Sequence, residues 1–232
     1  MSNGISDKTI GRLSLYRRLL MDLIEQKVEF VFSHDLAKAA RLTAAQVRRD
    51  VMSLGHSGTP ARGYNARLLL DSITAVLDAP ESQPVALVGV GNLGRAILAY
   101  FVGRRPSLRI IAAFDSNPDL VDRVICGCRC YSAGAMPEVI RRDGIRAGII
   151  AVPSTGAQEV ANALVEAGVS GILNFAPARL GVPPHVYVEY MDFTTSLEKV
   201  AFFARRRDAG RAIRPGFAAP SAARISVQPL TL

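Results

Sequence analysis

Three closely spaced glycines in the middle of the chain have the spacing of a phosphate-binding loop. Gly89, Gly91 and Gly94 follow four apolar residues and open a segment with helical apolar spacing. In this setting the first glycine permits a tight turn, the second lets the backbone approach a pyrophosphate, and the third lets helix and strand pack closely. The first amides of the helix, including those of Asn92 and Leu93, point toward the phosphate charge. The pattern therefore predicts a dinucleotide-binding loop.

Asp115 lies where a bound dinucleotide would need an acceptor for its ribose. It ends the next apolar run, about 20 residues beyond the glycine loop, where a carboxylate accepts hydrogen bonds from the ribose hydroxyls of adenosine. Residues 116–118, which follow it, include no cation for a 2′-phosphate, and this favours NAD(H) over NADP(H). The alternative is a glycine turn and a surface aspartate in an α/β domain that binds no nucleotide.

A second group of residues, near position 45, has the types that bind DNA. Thr43 and Gln46 match the capping-box pattern that opens a helix, and Arg48 and Arg49 follow closely. Glutamine and arginine are side chains that reach base edges and phosphates in a major groove. Arg62, in a turn-rich segment, is placed to contact backbone phosphate or an adjacent minor groove. The alternative is a helical dimerisation domain in which Arg48 and Arg49 form a solvated face.

The elements around this second group have the pattern of a winged helix-turn-helix. Five apolar residues at helical spacing predict a first amphipathic helix: Leu13, Tyr16, Leu19, Leu20 and Ile24. Either Ser33 or Asp35 could cap a second helix, and only residues 41–42 separate it from the third helix, 44–52. Glycines and a proline at 55–63 suit a β-wing. A fourth helix, at about 65–77, precedes a linker at 78–80.

From position 84 onward, short apolar strands alternate with helical segments. The predicted strands are 85–88, 108–114, 129–131, 147–152, 171–174 and 186–190. This alternation predicts a Rossmann-like, doubly wound parallel sheet covered on both faces. Thr195 and Glu198 match a further capping box, which opens a last helix. The predicted division is a winged-helix domain at 1–80, a nucleotide-binding domain at 81–193, a last helix at 194–206 and a tail at 207–232.

Charge and hydropathy restrict the class of protein further. The net charge of +8 favours polyanionic partners, and the arginine-rich tail is expected to be a disordered, solubilising extension rather than a nucleic-acid arm. No stretch approaches the roughly 20 apolar residues that span a bilayer, and the N-terminus lacks the layout of a secretion signal. We therefore expect a cytoplasmic protein with no membrane partner.

Three cysteines fall within five residues. Cys126, Cys128 and Cys130 are an odd number, which makes a poor disulfide framework and fits a reducing compartment. A thiol redox or metal site is the sharper alternative, but no histidine lies near in sequence and zinc typically takes four ligands. The favoured interpretation is that they are small apolar fillers, so no metal is predicted.

Taken together, the two halves resemble a known family. Over about residues 8 to 204 the chain is similar to the redox-sensing transcriptional repressors called Rex. The resemblance is carried by Arg12-Leu-x-Leu-Tyr16, Ala45-Gln-Val-Arg-Arg-Asp50, Ala86-Leu-Val-Gly-Val-Gly-Asn-Leu-Gly94, Ala112-Ala-Phe-Asp115, Gly148-Ile-Ile-Ala-Val-Pro153, Ala157-Gln-Glu-Val160 and, most specifically, Gly171-Ile-Leu-Asn-Phe-Ala-Pro177.

The resemblance implies a homodimer whose winged helices bind a palindromic operator and whose Rossmann domains sense the NADH/NAD⁺ ratio. In this family NADH closes the dimer, separates the recognition helices and releases DNA, and the last helix is swapped onto the partner subunit. The sequence departs from the family at Leu54, where an aromatic residue is usual. The wing arginine has also moved from the position of Pro60 to Arg62.

Four residues carry over from the family by position. Tyr100 corresponds to a tyrosine near the nicotinamide, and Phe193 to an aromatic residue packed on that ring. Arg18 and Asp192 match an inter-subunit pair that reports nucleotide state to the DNA-binding domain. The plainer alternatives are core aromatics for the first two, and solvated charges for the pair.

Two other classes of function remain open. A nicotinamide-dependent dehydrogenase would need a proton-transfer group and a substrate domain, and the residues beyond 152 are too few to build one. A module that binds CoA or another nucleotide, with a helical dimerisation arm, is the second. We expect a repressor rather than an enzyme, with no catalytic residues.

Overall fold

The structure, a computed structural model, describes residues 5–211 apart from 57, 60–61, 79–80 and 105–106. Within these residues, none of the helices combines the length and apolarity that crossing a membrane requires.

The N-terminal part is a winged helix-turn-helix. Its elements are α1 (Asp7–Glu25), β1 (Phe30–Val31), α2 (Ser33–Ala40), α3 (Ala44–Met52), β2 (Tyr64–Asn65) and α4 (Ala66–Leu77). The apolar stripe predicted for α1 is buried at Leu13, Tyr16 and Leu20, and it packs against α4 and α3 in one core. Strands β1 and β2 pair antiparallel, and a bridge between Thr59 and Gly63 extends the wing.

Helix starts in this part follow from side-chain caps, and one predicted cap is wrong. Neither Ser33 nor Asp35 is the cap of α2: Phe32 holds that position, and the Asp35 carboxylate accepts a bond from the Phe32 amide at 3.3 Å. At α3 the prediction is confirmed, because the Thr43 hydroxyl accepts from the Gln46 amide at 3.2 Å. The Gln46 side chain, however, does not complete the box, since it bonds elsewhere.

The second part is a seven-stranded sheet of mostly parallel strands. The strands are β3 (Gln83–Val88), β4 (Leu108–Asp115), β5 (Val124–Ile125), β6 (Cys128–Ser132), β7 (Ala147–Ile150), β8 (Gly171–Asn174) and β9 (Tyr187–Tyr190). Their order is β5-β6-β4-β3-β7-β8-β9. Strand β5, which the apolar pattern does not predict, pairs antiparallel with β6 through a two-residue turn. A two-residue strand is too short to leave a periodic signal.

Helices cover both faces of this sheet, as predicted. They are α5 (Asn92–Phe101), α6 (Met136–Arg142) and α7 (Ser154–Ala167). Ala86 and Val88 of β3 face the core that includes α6 and α7, whereas Val85 and Leu87 face the core that includes α5. Because successive strand residues point to opposite faces, a strand covered on both sides is apolar throughout.

The last helix, α8 (Phe193–Arg211), differs from its predicted bounds at both ends. It begins two residues before Thr195, because Asp192 rather than Thr195 acts as the cap. The Asp192 carboxylate accepts from the Thr195 amide at 2.9 Å and from its hydroxyl at 2.6 Å. The helix also continues through 207–211, which were expected in the tail, while 212–232 lie outside the described residues.

Helix α1 lies along the amino ends of the parallel strands. Near its start, the hydroxyl of Tyr187, the first residue of β9, donates to the Asp7 carboxylate at 2.7 Å. Farther along, Arg17 shares a cleft with Ser107, which directly precedes β4. The winged-helix part therefore touches the edge of the sheet opposite to the carboxyl ends of the strands.

Candidate nucleotide site and nucleic-acid interface

Steric crowding explains two of the three loop glycines. Gly89, at the end of β3, has φ +95°, and a Cβ there would lie 2.6 Å from the carbonyl oxygen of Ala151. At Gly94, in the first turn of α5, a Cβ would lie 1.9 Å from the carbonyl oxygen of Gly89. Both contacts are with backbone, which cannot move aside. The loop and α5 therefore pack directly on the sheet, as a dinucleotide-binding loop requires.

Gly91 is different, because the space beside it is open. It is the N-cap residue of α5, has ordinary extended backbone angles, and has nothing within 4 Å of an added Cβ. The amides of Asn92 and Leu93 start the helix beside this opening, and first-turn amides have no partner within a helix. An anion can therefore approach the backbone at this point and meet the positive end of the helix dipole.

Asp115 joins the end of β4 to the glycine loop. Its Oδ2 accepts from the Val90 amide at 2.7 Å, and its Oδ1 accepts from the Asn117 amide at 2.9 Å. Each carboxylate oxygen has a second lone pair, so the group can still accept from hydroxyls. The site lies at the point where the strand order reverses, between β3 and β7, where open α/β sheets bind ligands.

One cation beside the loop was missed by the sequence reasoning. The Nε of Arg95 donates to the Val90 carbonyl oxygen at 3.1 Å, which holds its guanidinium against the loop. Its place inside the G-x-G-x-x-G helix was visible in sequence, but the direction of its side chain was not. A guanidinium there adds positive charge where a pyrophosphate would lie.

Tyr100 and Phe193 are not core aromatics, so that alternative is wrong. Their exposed fractions are 58% and 57%. Tyr100 lies at the far end of α5 from the loop, with the Arg104 guanidinium 4.5 Å from its ring centre. Phe193 lies 5.8 Å, centre to centre, from Phe175, which directly follows β8 at the carboxyl edge of the sheet. Both rings are open to solvent in the single chain.

The exposed face of α3 combines arginine with an apolar residue. Ala45, Arg48 and Arg49 are exposed, and Met52, at the same helical spacing, is 67% exposed. The Arg48 guanidinium donates to the Ser33 hydroxyl at 3.2 Å, which ties this face to the start of α2. Met52 was not singled out from sequence, because an apolar residue at the end of a helix is not by itself a signal for an exposed position.

Gln46 lies beside this face rather than on it. Its side-chain amide donates to Asp50 at 2.9 Å, and its oxygen accepts from Arg49 at 2.9 Å. The residue predicted to contact bases is thus occupied within the protein, where it orients Arg49.

Asp50 is the centre of a buried polar cluster that the sequence reasoning did not find. It is 3% exposed, and the Arg12 guanidinium donates to both its oxygens, at 2.6 and 2.7 Å. The Tyr16 hydroxyl donates at 2.9 Å. Burial alone would raise the pKa of Asp50, but the bonds from Arg12, Tyr16 and Gln46 outweigh it and hold that pKa below its ordinary value. The cluster fixes α3 to α1.

The remaining predicted residues are spread over the surface. Arg62 is exposed in the wing, where its amide approaches the Thr59 hydroxyl at 3.3 Å, while Pro60 lies outside the described residues. Arg18 is exposed on α1. Within the described part of one chain no bond joins Arg18 to Asp192, which caps α8. The predicted pair crosses between subunits, so a single chain leaves it a prediction.

The cysteines behave as the plainer interpretation expects at two positions. Cys128 and Cys130 are buried beneath the sheet on the α5 side, and burial raises the pKa of Cys128 to about 11. Cys126 is exposed in the turn between β5 and β6. Among the described residues no three side chains of the metal-binding types are grouped as a metal site.

Comparison with known proteins matches both halves of the chain. The family model "Putative DNA-binding protein N-terminus" matches residues 4–51, and the model "CoA binding domain" matches residues 80–178. A redox-sensing transcriptional repressor Rex from Roseiflexus sp. is 42% identical over 200 residues, 86% of this chain and 91% of the relative. The Rex of Streptomyces coelicolor is 38% identical over 96% of this chain and 86% of its own length.

Solved structures agree over the whole fold. The crystal structure of RSP, a Rex-family repressor, in complex with β-NADH superposes with TM-score 0.81 at 29% identity, covering 92% of this chain and all of that one. RSP in complex with β-NAD⁺ and operator DNA gives TM-score 0.82 at 30% identity, covering 91% and 98%. The CoA model matches only the half with the glycine loop, whereas these relatives match both halves in order. The chain therefore belongs to the Rex family of redox-sensing transcriptional repressors.

Proposed function

We propose that this protein represses transcription by binding operator DNA through its winged helices, and that NADH bound at the glycine loop releases it. The single observation that supports the proposal is that one chain has both an exposed arginine face on α3 and an open glycine loop at Gly91. The family is one of regulators rather than enzymes. We place its action in the cytoplasm, because its target is DNA.

For the nucleotide, we assign the pyrophosphate to the loop and the adenosine ribose to Asp115. The amides of Asn92 and Leu93, supported by Arg95, would bind the phosphates. Bound NAD(H) supplies a nicotinamide that is neutral when reduced and cationic when oxidised. Phe193, beside Phe175 at the carboxyl edge of the sheet, suits the neutral ring, since a cation gains less from an apolar surface than it loses in hydration. Tyr100 lies at the far end of α5 from the loop, so it would approach a nicotinamide only across the proposed dimer.

For DNA, we assign the major groove to α3 and the backbone or minor groove to Arg62. Arg48 and Arg49 are the base or phosphate contacts, Thr43 holds the start of the helix, and Gln46 acts by positioning Arg49. A recognition helix inserted in this way contacts one half-site, so a two-fold dimer requires a palindrome.

For assembly, we propose a homodimer in which α8 packs on the partner subunit. Leu197, Val200 and Phe203 are 69, 65 and 60% exposed in the single chain. Burying a leucine, valine or phenylalanine side chain gives about 1.5–3 kcal/mol each, so a partner surface would stabilise this helix substantially. Arg18 and Asp192 would then pair across the interface and report nucleotide state.

The experiment is DNA binding at fixed salt with each nucleotide in turn. A duplex selected from a random-sequence library on the nucleotide-free protein is labelled, and its fluorescence anisotropy is followed as NADH, NAD⁺ or CoA is added. We expect release by NADH at concentrations at least about tenfold lower than by NAD⁺, because a ligand shifts an equilibrium only through its differential affinity. Equal release by NADH and NAD⁺ would contradict redox sensing, and release by CoA alone would favour the CoA-binding alternative.

A further inference from the structure

The two halves of the chain enclose a cleft of about 480 Å³ on the side away from the glycine loop. We call it the interdomain cleft. Its walls include Arg17 and Met21 of α1, Leu70 of α4 and Asp78 just after it, and Arg104 and Ser107 between α5 and β4. It therefore lies between the winged-helix half and the nucleotide-binding half.

One wall holds a partly buried ion pair at the start of the linker. The Arg17 guanidinium is 6% exposed and donates to the Asp78 carboxylate at 2.8 Å. Asp78 ends α4 and leads directly into the connection to β3. The pair thus ties α1 to the segment that joins the two halves.

Arg17 is not fully satisfied in this arrangement. Its Nε is buried and has no hydrogen-bond acceptor within the described part of the chain. A buried N–H without an acceptor disfavours the arrangement that leaves it so. A movement of one half relative to the other that brings an acceptor to the Arg17 Nε would remove this cost. The free energy of the cleft therefore depends on how the two halves are placed around Arg17.

The opposite wall is connected to the nucleotide loop by a single helix. Helix α5 begins at Asn92 in the glycine loop and ends at Phe101, about 15 Å away. Arg104, in the turn that follows, lies with its guanidinium 4.5 Å from the ring centre of Tyr100 on the last turn. Arg104 is attached to the last turn of α5 through Tyr100, so a rigid-body shift of α5 would displace Arg104 as well.

We propose that Arg104 is a positioning residue through which the nucleotide-binding half biases the winged-helix half of the same subunit, acting across the interdomain cleft on the Arg17–Asp78 pair. The route is separate from the inter-subunit pair of Arg18 and Asp192. It uses a cation held on Tyr100, so that occupancy of the nucleotide site changes the position of a charge facing the linker. It rests on the proposed function, since it assumes that NADH and DNA binding are coupled.

The test measures coupling rather than binding, on the full-length protein. DNA affinity is measured with and without saturating NADH, with the selected duplex, and NADH affinity is measured by enhancement of NADH fluorescence. The ratio of the two DNA dissociation constants is the coupling factor. The variants are Arg104→Ala, Arg104→Lys, and Arg17→Met, with Arg109→Ala as the matched control. Arg109 is also an exposed arginine near the amino end of β4, but it lines a different cleft.

We expect Arg104→Ala to keep both separate affinities within about threefold of the wild type while the coupling factor falls by about tenfold. Arg104→Lys should restore most of the factor, because it keeps the charge over Tyr100. Arg17→Met should lower it as well, and Arg109→Ala should leave it unchanged. If Arg104 had only a structural role, its replacement would instead change the separate affinities or the melting temperature.

Two outcomes would overturn the inference alone. One is a coupling factor for Arg104→Ala equal to that of the wild type. The other is a loss of NADH affinity in that variant large enough to account for the whole change, which would make Arg104 a nucleotide ligand. If NADH does not change the DNA affinity of the wild-type protein, the proposed function itself is wrong. Failure of the inference and failure of the proposed function therefore give different results.

Discussion

At the scale of single residues, the glycines of the loop are required for different reasons. Gly94 is required by packing, since a Cβ would meet the Gly89 carbonyl oxygen at 1.9 Å. Gly91 has no such neighbour and ordinary backbone angles. The fold therefore does not require glycine at position 91, which is consistent with the proposed approach of a ligand.

The first prediction contrasts alanine at these two positions. We expect Gly94→Ala to lower the free energy of unfolding by more than about 2 kcal/mol, because the added methyl overlaps immobile backbone. Gly91→Ala should keep wild-type stability but bind NADH about tenfold more weakly, since the methyl occupies the space of the pyrophosphate. Thermal melts and NADH fluorescence measure the two effects. Unimpaired NADH binding by Gly91→Ala would show that the opening is not the phosphate site.

The second prediction concerns Asp50, whose folded pKa is lowered. Its contribution to stability is present above its unfolded pKa, near 4, and is lost as the pH falls through the lower folded value. Asp50→Asn should therefore cost about 3 kcal/mol at neutral pH and flatten the acid limb of stability against pH.

The control for Asp50 is Asp143→Asn. Asp143 also accepts two bonds from an arginine, Arg142, at 2.7 and 2.8 Å, but that pair lies at the surface. We expect it to cost less than about 1 kcal/mol. Denaturant titrations across pH 3–7 give both numbers, and equal costs for the two variants would remove the argument that burial makes the Asp50 cluster important.

At the scale of elements, one face of α3 is bonded to α1 and the opposite face is exposed to solvent. Asp50 bonds α3 to Arg12 and Tyr16 of α1. Gln46, which bonds only within α3, orients Arg49, while Arg48 and Met52 lie on the exposed face. A recognition helix works when its backbone is fixed before DNA arrives, because less entropy is then lost on binding. The buried cluster would supply that fixation if α3 enters the major groove, as we propose.

The third prediction tests this face through salt dependence. Arg48→Ala should weaken binding to all duplexes and reduce the slope of log affinity against log salt by about 1 if Arg48 contacts phosphate. If it contacts a base, the selected duplex should lose about 1–3 kcal/mol and nonspecific DNA much less. Arg123→Ala, an exposed arginine of the other half, is the control. Binding unchanged by Arg48→Ala would exclude α3 as the recognition helix.

At the scale of the whole molecule, the single chain leaves several large apolar side chains of α8 exposed to water. The side chains of α8 from Leu197 to Phe203 that would face a core have none within the described residues of this chain. The winged-helix half meanwhile touches the amino edge of the sheet, and the nucleotide loop lies on the other edge. Coupling between the two sites therefore needs a path from one edge to the other, and α5 and a partner subunit are the two that we propose.

The fourth prediction tests the partner. Leu197→Asp should shift the protein from dimer to monomer in sedimentation velocity and abolish tight binding to a palindromic duplex, because one half-site alone gives a fraction of the free energy. Val124→Asp is the matched control, since Val124 is likewise 69% exposed but lies on the short edge strand β5. A Leu197→Asp protein that remains dimeric would assign the interface to another surface.

Local pattern was sufficient for most elements and for the type of each site. The apolar stripe of α1, the Thr43 cap, the glycine loop and the alternation of strands and helices each depend on neighbours in sequence, so periodicity and capping chemistry predicted them. The prediction of the α8 cap failed because two nearby residues have side chains of the right type. Both Asp192 and Thr195 can cap a helix, and only the hydrogen bonds show that Asp192 does.

The sequence by itself determined the fold class, and it predicted the nucleotide loop with its acid and the DNA-binding arginines of α3, because these depend on residue types at fixed short spacings. Only the tertiary structure decided that Gln46 serves Asp50 and Arg49, that Tyr100 and Phe193 are open to solvent, and that Arg17 and Arg104 face one cleft. The bonds of Gln46 are local, but spacing alone also allowed it to complete the capping box at Thr43. The cleft and the Asp50 cluster depend on residues brought together from distant positions, Arg17 with Asp78 and Arg12 with Asp50. The direction of a side chain across such a distance is set by packing, which spacing along the chain does not encode.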